Sequence, residues 1–235
     1  MNSSHRYVGR ELDLFARARN WKSYLAKNIR PHLGSEVLEV GAGIGNNTLF
    51  LCPEQQKDWL CLEPDSRLLD RLTQRITTDP DFPQVQSRLG TIEIIHDASF
   101  DTILYVDVLE HIEDDRRELE IASGFLKPGG CLVVAAPAHQ RLYSPFDKAV
   151  GHFRRYTKKS LAAIGPSLLK LEQLYYIDSA GLIASTGNLL LLRKSVPSAR
   201  QIELWDSWLI RISTRLDSLF CYKVGKTVIG VWKKR

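Results

Sequence analysis

The stretch VLEVGAGIGNN, Val37 to Asn47, sets Gly41, Gly43 and Gly45 directly behind a run of strand-forming side chains. Apolar residues that stop at closely spaced glycines read as a buried strand leaving a sheet through a tight turn. When a helix follows, such a turn brings backbone N–H groups close to a ligand. The dinucleotide pattern GxGxxG requires a further glycine at position 46, where this chain carries Asn46. By itself the stretch leaves three readings: a dinucleotide, another nucleoside-bearing ligand, or a turn with no ligand.

Upstream of the turn, Leu14, Phe15, Ala18, Trp21, Leu25 and Ile29 recur at three- and four-residue steps. That spacing predicts an amphipathic helix from Glu11 to Arg30, stopped by Pro31. Downstream, a helix is expected from about Asn46, then a second strand in WLCLEP (59–64), with Asp65 as N-cap of the helix SRLLDRLTQRI. TIEIIHD (91–97) reads as a third strand and FDTILYVDVLEHI (100–112) as a fourth that runs into a helix near Leu109. A turn at LKPGG leads into a fifth, Cys131 to Ala136. Strands alternating with helices predict an α/β fold, with a mostly parallel sheet and helices on both faces. KLEQLYYI (170–177) and KTVIGVW (226–232) read as two further strands, separated by helical stretches at roughly 181–194 and 201–219.

In an open parallel sheet the ligand sits at the carboxyl ends of the strands, so the polar residues just past each strand are the candidates. Glu39 lies two residues before the first glycine, where a carboxylate aimed at the loop would repel a pyrophosphate and suit a cationic amine. Glu63 ends the second strand, where a carboxylate can accept both hydroxyls of a ribose. Asp97, placed after the third strand, is positioned to accept from an adenine amino group. Together these describe a nucleoside that carries a cationic amino acid in place of phosphates, which is S-adenosylmethionine (SAM).

VLEVGAGIG, LEPD, HDA and YVDVLEHIEDD…LKPGGCLVVAAP, in that order over about residues 35–137, resemble the successive motifs of class I SAM-dependent methyltransferases. The resemblance implies a seven-stranded sheet whose last strand is antiparallel and inserted beside the sixth. An N-terminal helix and a helical insert before the last strand complete the expected fold. It also implies that Glu39, Gly41, Ala42 and Gly43 hold the methionine end of SAM, Glu63 and Pro64 its ribose, and Asp97 with Ala98 its adenine. Asp107, ending the fourth strand, would lie beside the methionine portion and the reacting sulfonium. One unit is expected over residues 1–235: a helical lid (1–34), a SAM-binding core (35–137) and a substrate-side region (138–235).

The acceptor side is expected in the region after the fifth strand, HQRLYSPFDKAVGHFRRYTKKSL, whose GHFRRYT segment resembles stand-alone bacterial methyltransferases of undefined substrate. His139, Arg154, Arg155 and Tyr156 are its candidate substrate residues, and His152 a candidate catalytic group that titrates near neutrality. The Arg pair suits a carboxylate or phosphate. Tyr176, closing the sixth strand, is read as a cation–π partner of the sulfonium, and Trp21 and Tyr24 as residues closing over the ligand. The residues therefore predict transfer of the methyl group of SAM to a small-molecule acceptor. Two other outcomes stay open: cyclisation of SAM to azetidine-2-carboxylate with loss of methylthioadenosine, and SAM binding without catalysis. No metal is expected. DVLEHIEDD sets Asp107, Glu110, His111 and Asp114 at one-turn spacings, but the carboxylate pattern of metal-dependent methyltransferases is not matched, and His111 reads as a helix-end packing residue.

Composition narrows the partners. Residues 140–235 hold 17 Lys and Arg against 6 Asp and Glu, a net +11, so residues 1–139 carry −6 of the overall +5. The basic residues are spread out and rarely interleaved with aromatics, which argues against nucleic acid. The N-terminus lacks the layout of a signal peptide, and GLIASTGNLLLLRK is too short to span a bilayer. Four scattered cysteines form no CxxC pair. A cytoplasmic enzyme with a small-molecule substrate and no membrane partner is expected; oligomeric state is not readable.

Overall fold

Val37 and Leu38, Ile103 and Leu104, and Leu132 and Val133 are all buried, each pair sending one side chain to either face of the sheet. With both faces apolar, the strands need cover on both sides, and helices supply it. The computed structural model describes residues 11–53, 56, 58–187 and 198–235. Its seven strands are β1 (Glu36–Val40), β2 (Asp58–Glu63), β3 (Gln86–Leu89), β4 (Phe100–Val106), β5 (Leu126–Pro137), β6 (Leu169–Ile177) and β7 (Thr227–Lys234). They form one sheet in the order β3-β2-β1-β4-β5-β7-β6. β7 runs antiparallel between β5 and β6, as the resemblance implies, and the remaining pairs are parallel.

The described helices are α1 (Glu11–Phe15), α2 (Arg19–Ile29), α3 (Thr48–Leu51), α4 (Ser66–Thr78), α5 (Asp115–Gly124), α6 (Pro145–Ala149), α7 (Lys158–Ala163), α8 (Ser179–Gly187), α9 (Ala199–Leu204) and α10 (Ile210–Leu219). Residues of α2, α4, α9 and α10 pack on one face with Val37, Cys61 and Leu104. Residues of α5 and α7 pack on the other with Leu38, Ile103, Tyr105 and Trp232. Each fully buried Leu or Ile in these clusters is worth about 1.5–3 kcal/mol of transfer free energy.

Three sequence expectations are corrected. The third strand is Gln86–Leu89, not TIEIIHD; it pairs with β2 alone and is largely exposed. Ile92–Ile94 forms a 3-10 turn, which drops Ile92 and Ile95 into the core at the three-residue spacing of that turn. The N-terminal helix is two helices, α1 and α2. At the break the buried Lys22 ammonium bonds the Phe15 carbonyl, and those of Ala16 at 3.1 Å and Ala18 at 3.4 Å. The insert before β7 is α8, α9 and α10, the last two joined through a π turn at Trp205–Leu209. The part of the expected first insert helix at 188–194 lies outside the described residues.

The glycine turn ends β1 as expected. Gly41 has φ +70, and a Cβ there would stand 2.6 Å from Val108 Cγ2. Gly45 has φ +75, and a Cβ would meet the Phe82 ring at 2.6 Å. At both positions the left-handed backbone and the close neighbour leave room for glycine alone. Asp65 caps α4 by accepting from Arg67 N at 2.9 Å.

Candidate active site

At the carboxyl ends of β1 and β4 a cavity of about 220 Å³ opens beneath the N-terminal helices. Its floor is the turn Gly41–Ala42–Gly43 with Val106 and Asp107. Leu12, Phe15, Trp21, Lys22 and Trp205 form the roof. Trp205 packs on Trp21 at 5.6 Å and meets Phe15 edge-on at 6.0 Å. Asn46 Nδ2 donates to the Leu12 carbonyl at 2.8 Å, tying the roof to the glycine turn. A shallower hollow of about 460 Å³ lies at the opposite edge, around Gly34, Asp101 and Gly129, away from the strand ends that carry the chemistry.

The far wall holds the titratable groups. Asp107 and Asp178 directly follow β4 and β6, and both adopt left-handed φ values, 54° and 66°. Aspartate tolerates that conformation, and such residues concentrate at sites. Asp107 is exposed and lines the cavity. The protein atoms crowded around the cavity floor desolvate its carboxyl and push it up to about 6, against the pull of His152, Lys226 and Lys22. Glu110 and His111 sit on the turn Leu109–His111 just beyond. Burial and the nearby Asp107 push the Glu110 carboxyl well above the usual range. Burial and His152 push His111 down to about 4.

Opposite them, the GHFRRY segment alternates sides. His152 and Arg155 face the cavity, while Arg154 and Tyr156 turn to the start of α5. His152 Nδ1 donates to Asp147 Oδ1 at 2.9 Å, and Arg155 clamps the same carboxylate through Nε at 2.8 Å and Nη2 at 3.0 Å. Although burial opposes it, these hydrogen bonds hold the Asp147 carboxyl well below the usual carboxylate range. Arg155 Nη1 is buried and has no hydrogen-bond partner among the described residues.

Of the residues that the sequence singles out, Trp21, Gly41, Ala42, Gly43, Asp107, His152 and Arg155 share this cavity. Others do not line it. Glu39 is buried beneath the turn, where its Oε2 accepts from Thr48 Oγ1 at 2.8 Å and Trp59 Nε1 at 2.9 Å; it is not aimed at the loop. Glu63 closes β2 with its oxygens on Gly43 N (2.8 Å) and Asp65 N (2.9 Å), and Pro64 follows, half-buried. Asp97 and Ala98 are exposed just ahead of β4, at the edge opposite Asp107, because β3 ends eight residues before Asp97. Tyr24 is buried with its hydroxyl on Asp217 Oδ2 at 2.8 Å, not over the cavity. Tyr176 points to the other face of the sheet, where its hydroxyl accepts from Lys158 N at 3.0 Å and its ring packs on His139. His139 Nε2 donates to the Gly225 carbonyl at 2.9 Å. Arg154 pairs with Asp115 Oδ2 at 2.6 Å, and Tyr156 donates to the same oxygen at 2.7 Å, so both brace α5. His111 is no packing residue; it lines the wall beside His152, their rings edge-to-face at 4.6 Å.

The site also uses Lys22, Asp147, Asp178, Trp205 and Lys226, which the sequence does not single out, and Glu110, which it marks only by the one-turn spacing from Asp107. Burial pulls the Lys22 ammonium down to about 8. For Lys226 a signal existed. An antiparallel β7 begins at the edge where the parallel strands end, so the residues that open it belong to the site.

Residues 38–132 match the sequence family described as methyltransferase domain. A demethylmenaquinone methyltransferase of Tropheryma whipplei (strain Twist) is 30% identical over 152 residues, 64% of this chain and 61% of that enzyme, so the match spans less than two thirds of the relative's length. A SAM-dependent methyltransferase from Thermotoga maritima, described as a possible histamine N-methyltransferase, is similar in structure with TM-score 0.61 at 18% identity, over 96% of this chain and 93% of that one. N-methyltransferase NodS from Bradyrhizobium japonicum, in complex with S-adenosylhomocysteine, gives 0.59 at 16% identity, over 98% and 93%. At these identities the likeness establishes the fold, which is the seven-stranded class I methyltransferase fold.

Proposed function

We propose that the chain transfers the methyl group of SAM to a small-molecule acceptor. The observation that carries this reading is one cavity joining the glycine turn of β1, the Asp107 carboxylate of β4 and a separate wall of polar groups. The methyltransferase-domain match over residues 38–132 supports it. The donor set suits a methionine zwitterion: Asp107 offers a carboxylate to its ammonium, and the N–H groups of the glycine turn lie at the same end of the cavity. Glu63, with one hydrogen bond on each oxygen, retains acceptor capacity for ribose hydroxyls. Because β3 ends at Leu89, the adenine falls to Gly90 and Thr91 and not to Asp97 and Ala98.

SAM supplies an electrophilic methyl on a sulfonium. Trp21, Phe15 and Trp205 exclude water above that position, which favours an in-line displacement. Arg155 lines the cavity and sets a guanidinium charge beside an oxygen of the acceptor. Asp107 and His152 face the cavity as the groups that take up a proton released there.

Calorimetry with SAM tests the first step, and product analysis the second. S-adenosylhomocysteine formed on addition of an acceptor supports methyl transfer. Methylthioadenosine released without acceptor would assign cyclisation instead, and tight SAM binding with neither product a binding module. Glu63→Gln is expected to weaken SAM affinity about ten-fold, the loss of one charge-assisted contact. Asp97→Ala is expected to leave it unchanged; the reverse pattern would return the adenine to Asp97.

A further inference from the structure

The polar wall carries more than a methyl transfer requires. Donor atoms of Glu110, His111 and His152 all lie within 4.8 Å of one another, although the two histidines come from segments about forty residues apart. His152 Nε2 stands 3.9 Å from Glu110 Oε1. The hydrogen bond from its Nδ1 to Asp147 orients the ring so that Nε2 is turned toward Glu110. Asp147 is fixed in its turn by Arg155, by Ser144 N and by Ser144 Oγ, both at 2.8 Å. The His111 ring has its Nδ1 edge toward Gly151 and packs edge-to-face on the His152 ring at 4.6 Å. Orientation of one ring nitrogen by a carboxylate or carbonyl is the arrangement that surrounds histidine when the other nitrogen binds a metal. The remaining ligand supplies an independent sign. Glu110 is 1% exposed; its Oε1 is the oxygen 3.9 Å from His152, and the other oxygen of the same carboxylate, Oε2, has no hydrogen-bond partner among the described residues. A carboxylate oxygen left bare in a buried wall costs on the order of 1–3 kcal/mol, or more when charged, unless something occupies it.

We propose that Glu110, His111 and His152 form a binding site for a divalent first-row transition ion on the wall of the cavity. Two imidazoles and one carboxylate are the N2O set that such ions take with positions left open. Ion–ligand distances of about 2.0–2.2 Å place neighbouring donors about 3–3.5 Å apart. The donors stand within 4.8 Å of one another, and His152 Nε2 within 3.9 Å of Glu110 Oε1, so side-chain rotations that close the gaps by roughly 1–2 Å bring them onto one ion. The open positions face the cavity, next to Asp107 and Arg155. An acceptor with two adjacent oxygen donors, a hydroxyl beside a carboxylate or a second hydroxyl, would complete the coordination there. With His152 on the ion, Asp107 remains as the carboxylate facing the acceptor. The ion site stands without the methyl-transfer reading; the acceptor class rests on it.

The test uses the full chain stripped with a chelator and titrated with Mn2+ and, separately, Zn2+. One ion per chain is expected, and pulsed EPR of the Mn2+-loaded wild type is expected to resolve nitrogen coupling from imidazole. Glu110→Gln and His152→Asn are expected to weaken ion affinity ten- to a hundred-fold, whereas His139→Gln, outside the cluster, is expected to bind as wild type does. Absence of stoichiometric binding, absence of nitrogen coupling in the wild type, or variants that bind like the wild type would each overturn the site. The EPR readout needs no variant, so a variant that fails to fold does not remove the test. SAM affinity is measured on the same chelator-treated protein. Loss of SAM binding with ion binding intact would sink the methyl-transfer reading alone, and the reverse would sink the ion site alone.

Discussion

Glu39 is a carboxylate on a buried strand, 2% exposed, with its Oε2 fixed by Thr48 of α3 and Trp59 of β2. It thereby ties the start of the helix after the glycine turn to two strands beneath it, which sets the turn. Burial pushes its carboxyl up to about 7 from an ordinary value of 4.5, while the hydrogen bonds from Thr48, Trp59 and Cys61 work the other way. The folded state thus binds this proton more tightly than the unfolded chain. Its contribution to stability is fully present below pH 4.5 and is lost as the pH rises through about 7. At about 1.4 kcal/mol per unit, that is on the order of 3 kcal/mol. Glu39→Gln removes the titration and keeps an oxygen for the same donors. Urea denaturation is expected to show wild-type stability falling between pH 5 and 8 relative to the variant. Parallel pH profiles for the two proteins would mean that Glu39 remains ionised in the fold. Strand alternation does not reveal that Trp59, one strand over, offers an indole N–H to this carboxylate, so the partner of Glu39 is not legible in the sequence.

At the scale of elements, what escaped the sequence is whatever one element receives from another. α2 begins after Ala18, which has no side chain able to cap it. Asp206, on the π turn between α9 and α10, does so from 186 residues away, accepting from Asn20 N at 3.1 Å and Trp21 N at 2.7 Å. A third bond, from Asn20 Nδ2 at 3.0 Å, completes the contact. No local periodicity encodes such a cap, so the apolar spacing from Leu14 to Ile29 read as one helix. β3 was missed for a related reason. Gln86, Ser87 and Arg88 carry little apolar signal, and β2 is the one strand they pair with, whereas Ile92 and Ile95 mimic a strand. The inner strands β1, β2, β4 and β5, buried on both faces, were legible because burial wrote them as apolar runs. Asp206→Ala is expected to lower stability by about 1–3 kcal/mol in urea denaturation, the range for a lost buried cap with unpaired N–H groups left behind. Asp206→Asn, which keeps an acceptor, should recover part of it. An unchanged midpoint for Asp206→Ala would mean that α2 does not depend on this contact.

Across the whole molecule, the N-terminal helices and the insert before β7 are joined to the sheet by buried carboxylates as much as by apolar contact. Asp217 of α10 accepts from Tyr24 of α2 at 2.8 Å and from Asp178 N at 2.7 Å and Ser179 N at 2.9 Å at the start of α8. Asp178 in turn accepts from Ser213 Oγ at 2.8 Å and Trp205 Nε1 at 3.0 Å, which places the roof of the cavity on the same network. One hydrogen-bond network therefore joins α2, the residues that follow β6, and the insert beside the site. Buried networks of this kind couple their members, so single changes do not add. Tyr24→Phe and Asp217→Asn are each expected to destabilise the chain. Their double variant should lose less than the sum, with a coupling of about 0.5–3 kcal/mol measured by denaturation. SAM affinity of Tyr24→Phe is expected to stay at the wild-type value, because the hydroxyl is committed to Asp217 and the ring does not line the cavity. Additive losses would break the proposed link between the two ends of the chain. A Tyr24→Phe variant with wild-type stability but weakened SAM binding would return Tyr24 to the ligand, where its aromatic spacing on the first helix had placed it.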